Sequence, residues 1–250
     1  IYDEAEYTAK RIIALVRDGG MRYRDIAVTL SSLSRYRTVI RGVFSRYGIP
    51  VFMDRKNKVA MHPLAEAVRC AIDIIAYDFT YESVFAYLKT GFSGIEREDI
   101  DLLENYCLAY GIQGWKWRTK AWSYGRNTYD ENDILRLNEL KDRVIEPFTE
   151  FFELCGGNKK TTVKNICVQI INFLKNIKAA EILAEQTDSF KLSGKTDRAY
   201  ENEQCWDCIT DILTEAAKTL GGEIMTVREF AVIFDAGITE ADMGIIPYST

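Results

Sequence analysis

Apolar residues recur every three to four positions through most of this chain, the spacing of a single buried helical face. The first such run is Ala5, Ala9, Ile12, Ile13 and Val16, and Gly19-Gly20 ends it. The period then shortens to two at Ile26, Val28 and Leu30, as in a half-buried strand. Ser34 is placed to cap a second helix whose stripe is Tyr36, Val39, Ile40, Val43, Phe44 and Tyr47. Gly48 stops that helix, and Ile49-Pro50-Val51-Phe52 reads as another short strand. Helix, strand, helix, strand is a portion of an α/β layer, too small to make a complete sheet.

Beyond Pro63 the pattern is almost wholly helical. Pro63 suits a first helical position ahead of Leu64, Ala67, Val68, Ala71, Ile72 and Ile75. A short helix is expected over 81–88. Ser93 and Glu96 have capping-box spacing before Ile100, Leu103, Tyr106 and Cys107, and Gly111 closes that helix. Residues 112–129 are irregular and aromatic. A long helix starts near Asp130, is disturbed at Pro147 and ends at Leu154; others are expected over 162–177, 179–187 and 199–220. Thr226 and Glu229 box the start of a last helix, which ends at Gly237.

The expected fold is therefore mainly α. A large helical domain over residues 61–250 is attached to an incomplete α/β piece over residues 1–60. The chain opens at Ile1 without an initiator Met and stops at Thr250 in mid-pattern, so it reads as an internal piece of a longer protein.

Composition narrows the function classes. The 32 basic and 37 acidic residues give a net charge of −5, which argues against a wholly basic nucleic-acid coat but leaves room for local patches. No apolar run approaches the roughly 20 residues that a bilayer requires, and no signal peptide is present, so a cytoplasmic protein with no membrane partner is expected. The six cysteines, at 70, 107, 155, 167, 205 and 208, sit in apolar helical patterns and read as reduced core thiols.

Catalytic chemistry finds no candidate residue. Ser193-Gly194-Lys195-Thr196 ends like a phosphate-binding loop, but the first glycine of that motif would fall at Ser189, after a helix rather than a strand. Cys205-Trp206-Asp207-Cys208 is a lone CxxC without the second ligand pair of a zinc site. His62 is the single histidine, which leaves general-base and triad arrangements without their usual proton carrier. Glu96, Glu98, Asp99 and Asp101 lie at a helix start, where carboxylates favour the macrodipole. No catalytic, cofactor-binding or metal residue is assigned.

Two basic stretches remain. Residues 35–58 hold Arg35, Arg37, Arg41, Arg46, Arg55, Lys56 and Lys58 against one acid, Asp54. Residues 105–129 contain no acid and set Lys116, Arg118, Lys120 and Arg126 among Trp115, Trp117, Trp122 and Tyr124. Cations hold phosphates and aromatic faces stack on unpaired bases. The nominated DNA contacts are Arg35, Arg37, Arg41, Lys116, Arg118, Lys120, Trp117 and Trp122. A solvated helix face, and tryptophans packed in a hairpin, are the structural alternatives.

Arg24-Asp25-Ile26-Ala27-Val28-Thr29-Leu30, a basic helix, and Tyr47-Gly48-Ile49-Pro50-Val51-Phe52 together resemble the second motor domain of UvrD-like superfamily 1 helicases. Further segments resemble the AddB-type component of the bacterial AddAB ATP-dependent helicase–nucleases. These are His62-Pro63-Leu64, Val84 to Gly91, Leu103 to Ile112, Glu229-Phe230, Asp235 to Ile238 and Ile246-Pro247. The resemblance covers essentially the whole chain. It implies a non-catalytic part of a helicase–nuclease acting in double-strand-break repair by recombination, with DNA and an AddA-type subunit as partners.

The same resemblance implies that ATP, magnesium and an iron–sulfur cluster belong to the longer protein and are held outside this chain. It also implies that Arg35 and Arg37 occupy a polar stretch facing nucleic acid or nucleotide. The rival reading is a free-standing helical adaptor that binds protein and not DNA.

Overall fold

The computed structural model describes residues 1–51, 53, 57–125 and 128–243. They form two compact units, the first made of the chain up to residue 55 and the second of the chain beyond it.

The first unit is a helical pair. Helix α1 (Tyr2–Arg17) buries Ala5, Ala9 and Ile12 in a small core with Ile40, Val43 and Phe44 of α2 (Leu33–Arg46), and Ile49 joins them. Tyrosine hydroxyls tie the pair at its edge: Tyr36 donates to Glu4 Oε2 at 2.9 Å and Tyr47 to Glu6 Oε1 at 2.7 Å. Helix α2 starts earlier than its sequence suggests. Ser32 occupies the N-cap, so Ser34 falls inside the first turn.

Neither expected strand joins a ladder among the described residues. Ile26 is extended (φ −110°, ψ 123°) after a 3-10 turn at Tyr23–Asp25, and Ala27, Val28 and Thr29 are exposed. Phe52 lies outside the described residues. Period-two alternation fits a strand, but a strand's N–H and C=O groups need a neighbouring strand, and these two segments do not pair with each other. Both segments instead line one trough of about 820 Å³ with Ile12, Ile40 and Phe44.

The second unit is built around α3 (Pro63–Tyr77), of which ten of fifteen residues are buried. Its sequence shows one apolar stripe, yet Ala65, Cys70, Ile74 and Ala76 are buried as well. Around it lie α4 (Tyr81–Leu88), α7 (Thr149–Cys155), α8 (Val163–Asn176), α10 (Thr196–Thr219) and α11 (Val227–Glu240). Helices α5 (Arg97–Tyr110) and α6 (Glu131–Ile145) extend the bundle beyond α4, and α9 (Ala179–Leu192) pairs with α10. Where α4, α7 and α8 converge, the Phe148 ring packs 4.8 Å from Phe173 and 5.2 Å from Tyr87.

Two short antiparallel ladders fasten loops to this bundle. Strand β1 (Asn57–Lys58) pairs with β4 (Asp242–Met243), in the register Asn57 to Met243. The ion pair Lys58 Nζ to Asp242 Oδ1, at 2.8 Å, reinforces it and joins the two ends of the unit. Strand β2 (Thr161–Thr162) pairs with β3 (Ile224–Met225). Segments of two residues are too short to show alternation, so no sequence pattern announces them.

Helix boundaries follow local chemistry, with informative departures. Pro63 stands at the first helical position and Gly111 closes α5 in the left-handed region at φ 58°. Pro147 lies in a 3-10 turn, Glu146–Phe148, that separates α6 from α7. Thr226 and Glu229 form their capping box. Ser93 and Glu96 do not: α5 starts at Arg97, and Ser93 Oγ accepts the Ile95 N–H at 3.3 Å. Gly237 does not end α11, which runs to Glu240. A Cβ at that glycine would stand 3.1 Å from Ile212 Cγ2, so glycine here permits close approach of α10.

His62 caps α3 in a buried polar chain. Its Nδ1 accepts the Leu64 N–H at 3.1 Å, which places the ring proton on Nε2, 3.0 Å from Asn202 Oδ1. Asn202 Nδ2 in turn donates to Thr187 Oγ1 at 3.2 Å. Burial lowers the His62 pKa, outweighing Asn202 and Glu201, which favour the charged ring. A folded pKa below that of the unfolded chain means stability that is complete above about pH 6.5 and lost as the pH falls below it. We expect the melting temperature to drop between pH 7.5 and 5.5, with a shallower drop in His62→Asn, which caps a helix but does not titrate. Equal slopes for the two proteins would refute the assignment.

Candidate nucleic-acid interface

The basic stretch on α2 does not form one patch. Arg35 and Arg41 are exposed and Arg37 is half-buried. Helical geometry sets Arg37 and Arg41 one turn apart on one flank of the buried stripe, and Arg35 on the other flank. Arg46, three turns on from Arg35, is committed elsewhere. It donates to the Tyr2 hydroxyl, and its guanidinium lies 5.6 Å from the Tyr2 ring centre and 6.0 Å from that of Tyr47. Lys58 is paired with Asp242. Arg55 and Lys56 lie outside the described residues.

The aromatic segment 112–129 is a strap locked onto α5 and α6. A five-residue 3-10 turn, Gly114–Arg118, is pinned where the Gly114 N–H donates to the Phe79 carbonyl at 2.9 Å. Trp117 and Trp122 are 0% and 1% exposed and meet edge to face at 5.1 Å. Trp122 also stacks on Tyr106 at 5.6 Å and donates from Nε1 to the Lys116 carbonyl at 2.9 Å. Asn138 on α6 grips the Trp122 backbone twice, accepting its N–H at 2.7 Å and donating to its carbonyl at 3.0 Å.

A buried ammonium completes the lock. Lys141 is 1% exposed, and its Nζ reaches the carbonyls of Thr119 at 2.9 Å and Lys120 at 3.1 Å and Asp142 Oδ1 at 3.1 Å. Three partners match its three N–H donors, the condition for burying such a charge.

Most of the nominated contacts in this stretch are thus turned inward. Trp117 and Trp122 present no free face to a base, because both rings are buried against each other, Phe85 of α4 and Tyr106 of α5. Lys116 donates to the carbonyls of Tyr110 and Gly111, at 3.2 and 2.9 Å, and so satisfies the end of α5. Arg118 pairs with both Asp78 oxygens and lies 4.0 Å from the centre of the Phe152 ring. Of these five side chains, Arg118 and Lys120 are exposed, and Arg118 is taken by its pairing with Asp78. Arg126 lies outside the described residues. Sequence reasoning missed Asn138 and Lys141, although Lys141 falls on the apolar stripe of Leu137, Leu140 and Val144.

The other motifs resolve as architecture. Ser193-Gly194-Lys195 links α9 to α10, and its amides are taken up by the end of α9: Gly194 N–H by Lys191 and Lys195 N–H by Phe190, at 3.1 and 2.8 Å. Those amides do not fit a phosphate cradle, which needs them pointing outward. Cys205 is buried on α10 and its thiol is pushed up to about 12 by burial. Burial likewise raises Cys70 and Cys107 to about 12, and Cys155 and Cys167 to about 11. Thiols so buried, on different helices, do not fit an iron–sulfur cluster, which is bound by four converging thiolates. Among the described residues, no three His, Cys, Asp or Glu side chains are grouped to hold a metal ion.

The fold is thus a mainly helical domain preceded in the chain by a helical pair. No family model matches the chain. Similarity to known proteins is nevertheless extensive, and it falls on the AddB-type component of the ATP-dependent helicase/deoxyribonuclease. Over its whole length the chain is 36% identical to that protein from Clostridioides difficile (strain 630), and 36% identical to that from Acetivibrio thermocellus. It is 37% identical over 98% of its length to the counterpart from Clostridium perfringens (strain 13). The chain matches one section of these proteins along its whole length, and it spans 22% of the length of each of these relatives.

The strap generates a stability prediction. Trp122→Ala should cost about 3–5 kcal/mol, as for other buried tryptophans. Lys141→Met should cost about 1–3 kcal/mol by leaving two carbonyls without a donor. Urea unfolding checks both, and losses near zero would show that the strap is not part of the core.

Proposed function

We propose that this chain is a non-catalytic section of an ATP-dependent helicase–nuclease component that shapes the path of DNA and contacts an AddA-type partner. The observation that carries the reading is the similarity along the entire chain to proteins named as one component of an ATP-dependent helicase/deoxyribonuclease. In this reading the first unit is part of a second motor-like domain and the second unit is its inserted helical domain. ATP, magnesium and an iron–sulfur cluster would be held by other sections of the protein. The whole protein would act in the cytoplasm in double-strand-break repair by recombination. No described helix is long and apolar enough to cross a membrane.

What the chain offers DNA is charge in specific places. Arg35 and Arg41 on α2 and Lys120 on the strap are exposed. The overall −5 keeps such contacts local, which suits guidance along a path better than general adhesion.

Fluorescence anisotropy of labelled single-stranded and forked DNA, titrated with the chain across a salt series, tests this. Expected is binding that weakens steeply with salt, with Arg35→Glu and Arg41→Glu each lowering the salt slope by about 0.7–0.9. No binding even at low salt would favour the helical adaptor instead, a reading consistent with the net charge.

A further inference from the structure

Tryptophan is highly buried on average, and an aromatic face left open beside cations is a platform on which an unpaired base can stack. Trp115 is 64% exposed, whereas Trp117, two residues along the same turn, is fully buried. The turn that carries both is held at every corner. Gly114 has φ 61° and is bonded to Phe79, the Lys116 ammonium caps α5, Arg118 is paired with Asp78, and Trp122 Nε1 holds the Lys116 carbonyl. The turn therefore presents the Trp115 ring on a preorganised support, so that binding costs little further ordering of the chain.

The surroundings indicate what kind of ligand fits. Tyr124 is 40% exposed and lies parallel to Tyr110, with ring centres 5.9 Å apart and 15° between planes. The Lys116 ammonium stands 5.8 Å from the Tyr124 ring centre. Lys120, two residues past the turn, is exposed. Residues 105–129 carry no carboxylate, and Asp78, whose carboxylate reaches this turn, is paired with Arg118. Exposed flat rings beside cations in an acid-free segment are complementary to flat rings joined by anions, which is the chemistry of a single strand with unpaired bases. A duplex hides its base faces and does not match.

We propose that the outer face of this turn is a stacking site for an unpaired base of single-stranded nucleic acid, with Trp115 as the platform and Lys120 as a phosphate contact. The site deepens the DNA-guiding role proposed above and rests on it.

The test titrates the chain with oligo-dT and with an abasic oligonucleotide of the same length, reading anisotropy and tryptophan fluorescence. Oligo-dT should quench part of the emission of the unaltered chain. Trp115→Ala should abolish that quenching and weaken oligo-dT about ten-fold while leaving abasic binding unchanged. Its melting temperature should not move, because the ring is exposed. Lys120→Glu should weaken both oligonucleotides. Equal oligo-dT affinity with and without Trp115, or an equal loss for the abasic strand, would overturn the stacking site. Salt-dependent binding that still responds to Arg35→Glu would then leave the DNA-guiding role standing. Failure of the unaltered chain to bind any DNA would defeat both and direct Trp115 to a protein partner.

Discussion

A helix that is apolar around most of its circumference has no stable place at a surface, and α3 imposes that constraint on the whole second unit. Leu64, Val68, Ile72 and Ile75 on one side, and Cys70 and Ile74 on another, all leave water only if neighbours cover every side but the strip of Glu66, Arg69, Asp73 and Tyr77. Helices α4, α7, α8, α10 and α11 supply that cover. Full burial of such side chains is worth roughly 1.5–3 kcal/mol each, which makes the central helix the main source of cohesion. The ladder between β1 and β4 and the His62 chain to Asn202 and Thr187 then fix where α3 begins.

The end of α3 shows the same dependence. Asp78 and Phe79 both adopt positive φ, 57° and 52°, a conformation that costs roughly 1–2 kcal/mol per non-glycine residue. Burial of the Phe79 ring against Phe148 and Phe152 and the pairing of Asp78 with Arg118 offset that strain. The same two residues anchor the aromatic strap, since the Phe79 carbonyl accepts the Gly114 N–H. The strap is consequently an extension of the core, and the outer side of its turn, with Trp115, is open to a ligand.

The division of labour on that turn explains why a cluster of cations and aromatics misleads when read along the chain. Lys116, Arg118, Trp117 and Trp122 have the residue types of a nucleic-acid surface and serve as cap, ion pair and core. Trp115 and Lys120 have the same types and face outward. In α2 the helical period similarly separates Arg35 from Arg37 and Arg41, while Arg46 is drawn to two tyrosines. Linear charge density measures neither face nor prior commitment.

The amino-acid sequence by itself determined the mainly helical class, the order of the helices after Pro63, and the caps at Pro63, Gly111 and Thr226, because periodicity and capping act within a few residues. Its likeness to one component of a helicase–nuclease, carried by many weak segments in order, was legible there too and agrees with the relatives found. Only the tertiary structure decided that Ile26–Leu30 pairs with no described strand, that Gly237 serves close helix packing, and that Ser93 does not cap α5. It alone buried Lys141 with three acceptors and turned Trp117 inward and Trp115 outward. Apart from Ser93, whose hydroxyl is taken by the nearby Ile95 amide, these outcomes depend on partners far away in sequence, such as Ile212, Thr119 and Asn138, and a local pattern carries no record of which distant group will arrive to satisfy a donor or cover a ring.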